Sequence, residues 1–534
     1  MNHLRLPWLD LLLICCAVIL LTGGEWFLVG NILEYVRSHP KHHRLALSMV
    51  TALLLSVVFY KHHKNQLYSD SIILSSIKKI QLKPLHWVII IFMIMASVFS
   101  YSSYLRHHVF RTSFDFAIFA QAIWNTWHGS FLYSSIKGGI CLLGDHVSPI
   151  LVLFAPVYGM GDSAVPLLIL QAVFAASAVF PIYLIGKKVL AEDSLAILFA
   201  ALYALYLPLR NAVRFDFHPE VALDSLILWG FYFLLVGRLW VATLFLFLTL
   251  LIKEIACLPV AAVGFYAFWF HRKYFFGLLW IIMAATIFLI DVYIVAPYFY
   301  GGPYFYFAYY SGGPMGAIKN LFQGYTFTYF KKVFLPLGLF SFLSPAFLLT
   351  VPILLQNLGS GGSLQRSVFF QYTAFLTPFV FVSASFGFKN FLKWTQRFHA
   401  SQLFQFRQFA IYWVIGCSIF FTGVSEYHVI SEYKRMDSPH LAYIRSYLKE
   451  VPSNVSVRTH EFFASHLINR KELYIYENQH PKEGGSERAQ NANFVIIDEG
   501  FLKEAPTKDE QLQALKTKGY QMIHEHDGFY VFSK

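Results

Sequence analysis

Apolar stretches long enough to cross a membrane recur along this chain from Trp8 to about Val424. A hydrocarbon core about 30 Å thick needs about 20 apolar residues per helix. Backbone groups in lipid must satisfy their own hydrogen bonds, so such stretches fold as helices that pack into a bundle. The chain is 57% hydrophobic and only 13% charged, which excludes a soluble globular protein. We therefore expect an all-α polytopic membrane bundle of about 11–13 transmembrane helices.

The predicted membrane segments are 8–30, 44–60, 85–104, 164–186, 193–209, 221–237, 239–252, 255–270, 274–296, 333–356, 367–388 and 409–424. The positive-inside rule places four basic connections in the cytoplasm: 61–83, 187–188, 271–273 and 389–407. The first stretch follows an arginine, as a signal peptide would, but it contains Asp10 and lacks a small-residue cleavage site. We interpret it as a retained span.

This orientation makes residues 106–161 one long external loop. Its segment 146–161 has only about 14 apolar residues and a proline near each end, which is too short to cross. We expect two helices in this loop that lie along the membrane surface or dip into it. The loop 297–332 is also external. Its Tyr, Phe, Gly and Pro residues fit either interfacial aromatics or a lid over a lipid-linked or sugar ligand.

The stretch 333–356 conflicts with this orientation if it crosses once. Together with 367–388 it would then place the basic tract that follows outside. Three prolines interrupt the stretch: Pro336, Pro345 and Pro352. Because proline breaks helices, we interpret the stretch as a broken, re-entrant hairpin.

From about residue 430 the composition changes to that of a small α/β domain. Five segments have strand patterns: "NVSVRTH", "ELYIYE", "NFVIIDE", "YQMIHEHD" and "FYVFSK". Helical patterns lie near 438–449, 461–468 and 507–518. The predicted organisation is thus a two-span extension at 1–84, a transmembrane domain at 85–424 and an extracytoplasmic α/β domain at 430–534. This last domain has no Gly-rich phosphate loop, so nucleotide binding there is unsupported.

The net charge of +12 does not indicate nucleic acid. The Lys and Arg residues form short clusters between apolar segments, which fits topology and attraction to anionic headgroups. The five cysteines show neither ligand spacing nor a disulfide framework: Cys15, Cys16, Cys141, Cys257 and Cys417.

Ionisable residues near membrane depth are costly and indicate function. Four groups stand out on the predicted external side: Asp115; Asp145 with His146; Arg210, Arg214, Asp216, His218 and Glu220; and Lys253 with Glu254. Each has a structural alternative. Asp115 and Asp145 suit helix caps, the cluster 210–220 suits a solvated loop, and Lys253 suits a pair with Glu254.

Together these groups suit one polar site at the outer boundary of the bundle. Carboxylates can take a proton from an acceptor hydroxyl, and Arg or Lys can hold a phosphate or pyrophosphate leaving group. Histidines beside carboxylates also suit a divalent metal, although no ligand spacing indicates one. The cofactor therefore stays unknown.

Ordered motifs now add a resemblance. "FDFAIFAQAIWNTWHGSFLYSSIKGG", "LGDHVSPILVLFAPVYGM" and "LQAVFAASAVFPIYLIGKKVL" resemble the start of a polytopic membrane family of unknown function. "FDFHPE", "LLIKE", "QYTAFLTPFVFVSA" and "VPSNVSVRTHEFFASHLINRKELYIYE" continue it over about residues 85–534. That family is grouped with the GT-C superfamily of polyprenol-phosphate-sugar-dependent glycosyltransferases. It resembles protein mannosyltransferase and aminoarabinose transferase-like membrane proteins.

The resemblance implies that Asp115 is the general base that activates an acceptor hydroxyl for inverting transfer. It also adds Gln371 and Tyr372 to the candidates for binding the donor phosphate or the acceptor. The chain departs from the family at Asp115, Phe116 and Ala117, where Asp-Leu-Gly is usual, and it lacks the second acid that many GT-C enzymes have beside the first.

Our leading hypothesis is a membrane glycosyltransferase in a bacterial inner membrane. It would move a sugar from a polyprenyl-phosphate carrier at the external leaflet to a lipid, glycan or protein acceptor. Two alternatives stay open, a transporter or flippase of lipid-linked sugars and a non-catalytic scaffold. A transporter should place ionisable residues in mid-span and often has repeated halves. We find no internal repeat, and the polar clusters lie at span ends, which favours the enzyme.

Overall fold

The structure is a computed structural model. It describes residues 82–310, 312–397, 400–478, 483, 485–501 and 508–534. The predicted spans 8–30 and 44–60 therefore lie outside the described residues.

Most of the described chain is α-helical. The α-helices are Pro84–His108, Phe114–Trp127, Val165–Ser177, Val179–Leu190, Asp193–Leu205, Leu207–Phe215, Pro219–Ala222, Ser225–Leu235, Leu239–Leu250, Cys257–Phe270, Tyr274–Ile290, Ala296–Tyr300, Gly313–Leu321, Gly324–Phe334, Val351–Gly359, Thr377–Thr395, Ala400–Tyr433, Pro439–Glu450, Glu461–Ala464, Glu487–Gln490 and Lys508–Thr517. The longer 3₁₀ segments are Pro149–Met160, Phe305–Tyr310 and Pro345–Thr350.

Within the described residues, 3 helices are long and apolar enough to cross a membrane: Pro84–His108, Val165–Leu190 and Tyr274–Tyr300. A fourth candidate is the pair Asp193–Leu205 and Leu207–Phe215, which bends by 45° at its break. Apolar helices of 10–17 residues occupy several other predicted segments. The membrane bundle is thus confirmed, whereas the number of about 11–13 spans stays a prediction.

The stretch 333–356 is broken, as its prolines predict. Pro336 lies in a 3₁₀ turn, Pro345 starts a second 3₁₀ segment, and Pro352 lies in the first turn of Val351–Gly359. Each proline removes a backbone donor, so a continuous helix cannot form. Whether this stretch re-enters the membrane stays a prediction.

The predicted external loop, residues 106–161, contains one α-helix, Phe114–Trp127, and one 3₁₀ segment, Pro149–Met160. Between them lies a short antiparallel hairpin of β1 (Tyr133–Ser134) and β2 (Ile140–Cys141). The second predicted helix is thus a 3₁₀ segment, with Pro149 at its start and Pro156 inside it. Two missing N–H donors explain why α-helical hydrogen bonding does not extend through it.

The C-terminal domain is the predicted α/β unit. Its strands are β3 (Val457–Thr459), β4 (Leu473–Ile475), β5 (Phe494–Asp498), β6 (Gln521–His526) and β7 (Phe529–Ser533). They form one sheet in the order β4-β3-β5-β7-β6. β3 is parallel to β4 and β5, whereas β7 is antiparallel to β5 and β6.

The loop 106–161 and the C-terminal domain share one apolar core. Phe110 and Phe116 from the loop are buried in the same cluster as Ile444, Phe463 and Val531. Phe110 meets Phe463 edge to face at a ring distance of 5.1 Å. The C-terminal domain is therefore packed against the loop that carries Asp115.

Two glycines set the contact between helices Cys257–Phe270 and Tyr274–Ile290. A Cβ at Gly264 would lie 2.8 Å from the carbonyl oxygen of Gly277, and a Cβ at Gly277 would lie 2.7 Å from that of Gly264. Small residues let membrane helices approach closely.

We expect Gly264→Ala or Gly277→Ala to lower the free energy of unfolding by about 1–3 kcal/mol, because overpacking forces the helices apart. Gly316→Ala is the matched control, since its Cβ would meet nothing within 4 Å. Thermal unfolding in detergent measures all three. Equal melting temperatures for the Gly264 variant and the control would contradict the packing argument.

Candidate functional site

Asp115 lies in the first turn of helix Phe114–Trp127 but does not cap it. The capping carboxylate is Asp216, which accepts the backbone N–H of Ser113 at 3.0 Å and of Phe116 at 3.3 Å. The first N–H groups of a helix lack intrahelical partners, and Asp216 satisfies two donors at this terminus. The alternative in which Asp115 is the cap is therefore wrong, and its carboxylate is available for other contacts.

Asp115 contacts His218 instead. His218 Nε2 lies 3.6 Å from Asp115 Oδ2, and the Asp115 side chain is 29% exposed while that of His218 is 2% exposed. Burial would raise the pKa of Asp115, but contact with His218 and the charges of Lys253 and Lys137 hold it below its ordinary value. The same contact raises the pKa of His218 against the effect of burial. The pair is thus a partly exposed carboxylate backed by a buried imidazole.

Gln171 holds the turn that carries His218. Its Nε2 donates to the carbonyl oxygens of Val213 at 3.1 Å and Asp216 at 2.9 Å, and its Oε1 accepts the His218 N–H at 2.7 Å. Sequence reasoning missed this residue, although a lone Gln in the apolar "LQAVFAAS" was a visible signal.

Glu220 and Lys253 form a buried ion pair, with Nζ 3.0 Å from Oε1. Burial would lower the pKa of Lys253, but Glu220 and Glu254 raise it above its ordinary value. The predicted alternative in which Lys253 pairs with Glu254 is wrong. The Lys253 backbone is extended, with φ −169° and ψ 151°, so adjacent side chains point to opposite sides.

Glu254 belongs to a second polar group. It accepts from His146 Nδ1 at 2.8 Å, from the Val147 N–H at 3.0 Å and from the Tyr304 hydroxyl at 2.6 Å. These contacts outweigh burial and lower the pKa of Glu254 to about 2. Glu254 therefore links the "LLIKE" and "GDHVSP" motifs to the aromatic loop 297–332.

Asp145 accepts from the Tyr306 hydroxyl at 3.0 Å and lies 3.4 Å from Lys137 Nζ. It does not cap the segment that Pro149 begins, whose N-cap is Ser148. The Tyr306 ring stacks on His146 at 4.3 Å. Sequence reasoning missed Lys137, although it lies close to Asp145 in the chain. It also missed the contacts of Tyr304 and Tyr306, because these tyrosines are distant along the chain from Glu254 and Asp145.

The cluster 210–220 is buried, so the solvated-loop alternative is wrong. Arg210, Arg214, Asp216, His218 and Glu220 are each 1–9% exposed. Arg214 pairs with Glu432 and not with Asp115, since its Nη2 is 2.8 Å from Glu432 Oε2, and Glu432 also binds Arg106 at 3.2 Å. This network joins the ends of three helices. Arg210 lies in the buried helix Leu207–Phe215.

Gln371 and Tyr372 lie in the 3₁₀ turn Gln371–Thr373, which packs against helix Leu207–Phe215. Tyr372 is near enough to Lys253 and Asp115 to interact with their charges. Two buried acceptor atoms near these groups, Glu220 Oε2 and Gln371 Oε1, have no hydrogen-bond partner among the described residues. In the same part of the chain, no group of three or more His, Cys, Asp or Glu residues is arranged to hold a metal ion.

A family model described as a predicted membrane protein (DUF2079) matches residues 106–531. Two crystal structures of ArnT from Cupriavidus metallidurans are also similar. The one bound to undecaprenyl phosphate is 10% identical, with a TM-score of 0.49, covering 83% of this chain and 97% of that one. The apo structure is 11% identical, with a TM-score of 0.46, covering 78% and 92%. The search of curated proteins gave no match.

We expect Lys253→Met to destabilise the protein by about 3–5 kcal/mol, because it leaves Glu220 charged and buried without its partner. The double variant Lys253→Met with Glu220→Gln should recover most of this loss. Thermal unfolding in detergent compares both with the wild type. A single variant as stable as the wild type would contradict the buried pair.

Burial raises the pKa of Asp216 to about 7. Between pH about 4 and about 7 the native protein therefore binds a proton that the unfolded chain has released, so this group makes stability fall as pH rises through that window. We expect Asp216→Asn, which cannot ionise, to flatten this part of the stability–pH curve. Melting temperatures from pH 4 to 8 test this, and parallel curves for the two proteins would contradict it.

Proposed function

The chain belongs to the DUF2079 family of predicted membrane proteins, and we propose that it is a glycosyltransferase with Asp115 as general base. The donor would be a sugar on a polyprenyl-phosphate carrier at the external face of the membrane, and the acceptor a lipid, glycan or protein. The observation that carries the proposal is the contact between the partly exposed Asp115 and the buried His218, beside the Glu220–Lys253 pair.

A general base must be ionised at the working pH and reachable by its substrate. Asp115 meets both conditions, because its pKa is lowered and its side chain is 29% exposed. His218 stacks on Phe215 and meets Phe119 edge to face. This packing keeps the imidazole behind the carboxylate, where its contact with Asp115 lowers the pKa of that carboxyl.

In the proposed step, Asp115 takes the proton of an acceptor hydroxyl. The oxygen attacks the anomeric carbon of the donor sugar, and the bond from that carbon to the phosphate oxygen breaks. The carrier leaves as polyprenyl phosphate and keeps the electron pair of that bond. The attack comes from the face opposite the phosphate, so the configuration inverts.

The orphan acceptors Glu220 Oε2 and Gln371 Oε1 support a ligand rich in hydroxyl groups. A buried acceptor without a partner costs free energy, which a hydroxyl donor from a sugar recovers on binding. Lys253 supplies positive charge beside Asp115 for the phosphate. Further candidates for binding the donor or the acceptor are Asp145, His146 and Tyr372, which belong to the neighbouring polar groups.

The transporter alternative predicts ionisable residues in the middle of spans. Asp115, His218 and Lys253 lie outside the three helices that are long enough to cross. This placement favours chemistry at a membrane boundary over passage through the bundle.

We expect the protein in lipid nanodiscs to release undecaprenyl phosphate from at least one of a panel of undecaprenyl-phosphate-linked monosaccharides when acceptor lipids and glycans are supplied. Asp115→Asn should slow this release about 100- to 10,000-fold, because the general base is lost. Asp162→Asn is the matched control, an exposed acid just after the same loop whose carboxylate accepts a hydrogen bond from Trp124 Nε1. Equal rates for Asp115→Asn and the control, at equal expression, would contradict the assignment.

A further inference from the structure

The motif "VRTHEF" of the C-terminal domain reaches the first turn of the helix that carries Asp115. Glu461 Oε2 accepts the Ser113 hydroxyl at 3.1 Å, and the backbone N–H of the same Ser113 donates to Asp216. Ser113 is the residue before helix Phe114–Trp127. Two carboxylates from distant parts of the chain therefore hold Ser113, the residue directly before this helix.

Glu461 is itself held by its surroundings. Its backbone N–H donates to Glu477 Oε2 at 3.1 Å, and the Glu461 residue is 9% exposed. The neighbouring His460 is fully buried between Glu477 and the end of β5. His460 Nε2 accepts the Asp498 N–H at 3.0 Å, so the ring proton lies on Nδ1, which donates to Glu477 Oε1. Hydrogen bonds thus hold the backbone of Glu461 in place beside the sheet.

We propose that Glu461 is a positioning residue of the candidate active site, which makes the C-terminal domain part of that site. Resting on the proposed function, the inference is that Glu461 sets the first turn of helix Phe114–Trp127, and with it Asp115, through Ser113. A base must lie within hydrogen-bond reach of its proton, and a shift of about 1 Å costs about 100-fold in rate.

A neighbouring contact gives a matched control. Thr112 Oγ1 lies 3.0 Å from Ser465 Oγ, and both residues are buried at the same boundary between loop and C-terminal domain. This pair joins the domains without contacting the first turn of the Asp115 helix. Thr112→Val therefore removes an interdomain hydrogen bond of the same kind but not the contact that positions Asp115.

The experiment compares Glu461→Ala, Glu461→Gln, Ser113→Ala, the double variant Glu461→Ala with Ser113→Ala, and Thr112→Val. The rate of undecaprenyl phosphate release gives kcat and KM. We expect Glu461→Ala and Ser113→Ala each to lower kcat about 10- to 100-fold with the donor KM unchanged. The double variant should be no slower than either single one, since both remove one interaction.

Glu461→Gln should keep kcat near the wild-type value, because the glutamine amide oxygen still accepts the Ser113 hydroxyl. Thr112→Val should keep the wild-type kcat. The proposal is overturned if Glu461→Ala changes only KM, if the two losses multiply, or if Thr112→Val lowers kcat equally.

Hydrogen exchange of the peptide that covers residues 113–120 gives a readout without substrate. We expect faster exchange in Glu461→Ala and Ser113→Ala than in the wild type or Thr112→Val. If the wild type releases no carrier but this difference is present, the proposed function fails while the positioning role stands. If the exchange rates are equal, Glu461 does not position the helix.

Discussion

The contact between Asp216 and the N-terminus of helix Phe114–Trp127 organises the rest of the site. A helix start in a buried position leaves N–H groups that must find acceptors. Here the acceptor comes from the "FDFHPE" turn, so the cap also joins the loop 106–161 to the bundle. Because Asp216 serves the backbone, the adjacent Asp115 contacts His218 and stays partly exposed. Asp216 serves the helix terminus, which leaves the Asp115 carboxylate for the role that we propose.

The low charge content of the chain makes each buried charge informative. Removing a charge from water costs several kcal/mol unless an opposite charge and hydrogen bonds compensate it. Glu220 forms an ion pair with Lys253, and Glu432 forms ion pairs with both Arg106 and Arg214. The second network ties helix ends together, whereas the first lies beside Asp115. Position relative to Asp115, and not charge alone, separates the residues of the candidate site from those of the scaffold.

Local patterns predicted much of the fold. Lengths of apolar stretches indicated the membrane helices, and strand patterns indicated the C-terminal sheet, because both signals lie within a few turns or residues. The strand order β4-β3-β5-β7-β6 depends on pairing between distant segments, which no local pattern encodes. The prediction of a second helix in the loop 106–161 was wrong in detail, since two prolines favour a 3₁₀ segment over an α-helix.

The same limit, between local patterns and contacts of distant segments, applies to the candidate site. The cost of ionisable residues near membrane depth led to Asp115, His218, Glu220 and Lys253, which the fold brings together. The residues of the site were easier to predict from the sequence than the pairs that they form. Adjacent residues suggested a Lys253–Glu254 pair, but an extended backbone separates their side chains. Gln171 and Glu461 were missed as contributors because their contacts join segments that are distant along the chain.

The core shared by the loop 106–161 and the C-terminal domain has a consequence for folding. Phe110 and Phe116 lie in the same buried cluster as Phe529 and Val531, and the whole helical bundle separates the two pairs along the chain. Domains generally fold as units in the order of synthesis. The loop cannot complete its core until the bundle and the strands of the C-terminal sheet have been synthesised. Each newly made molecule therefore acquires the finished geometry of the candidate site late in synthesis, although Asp115 itself is made early.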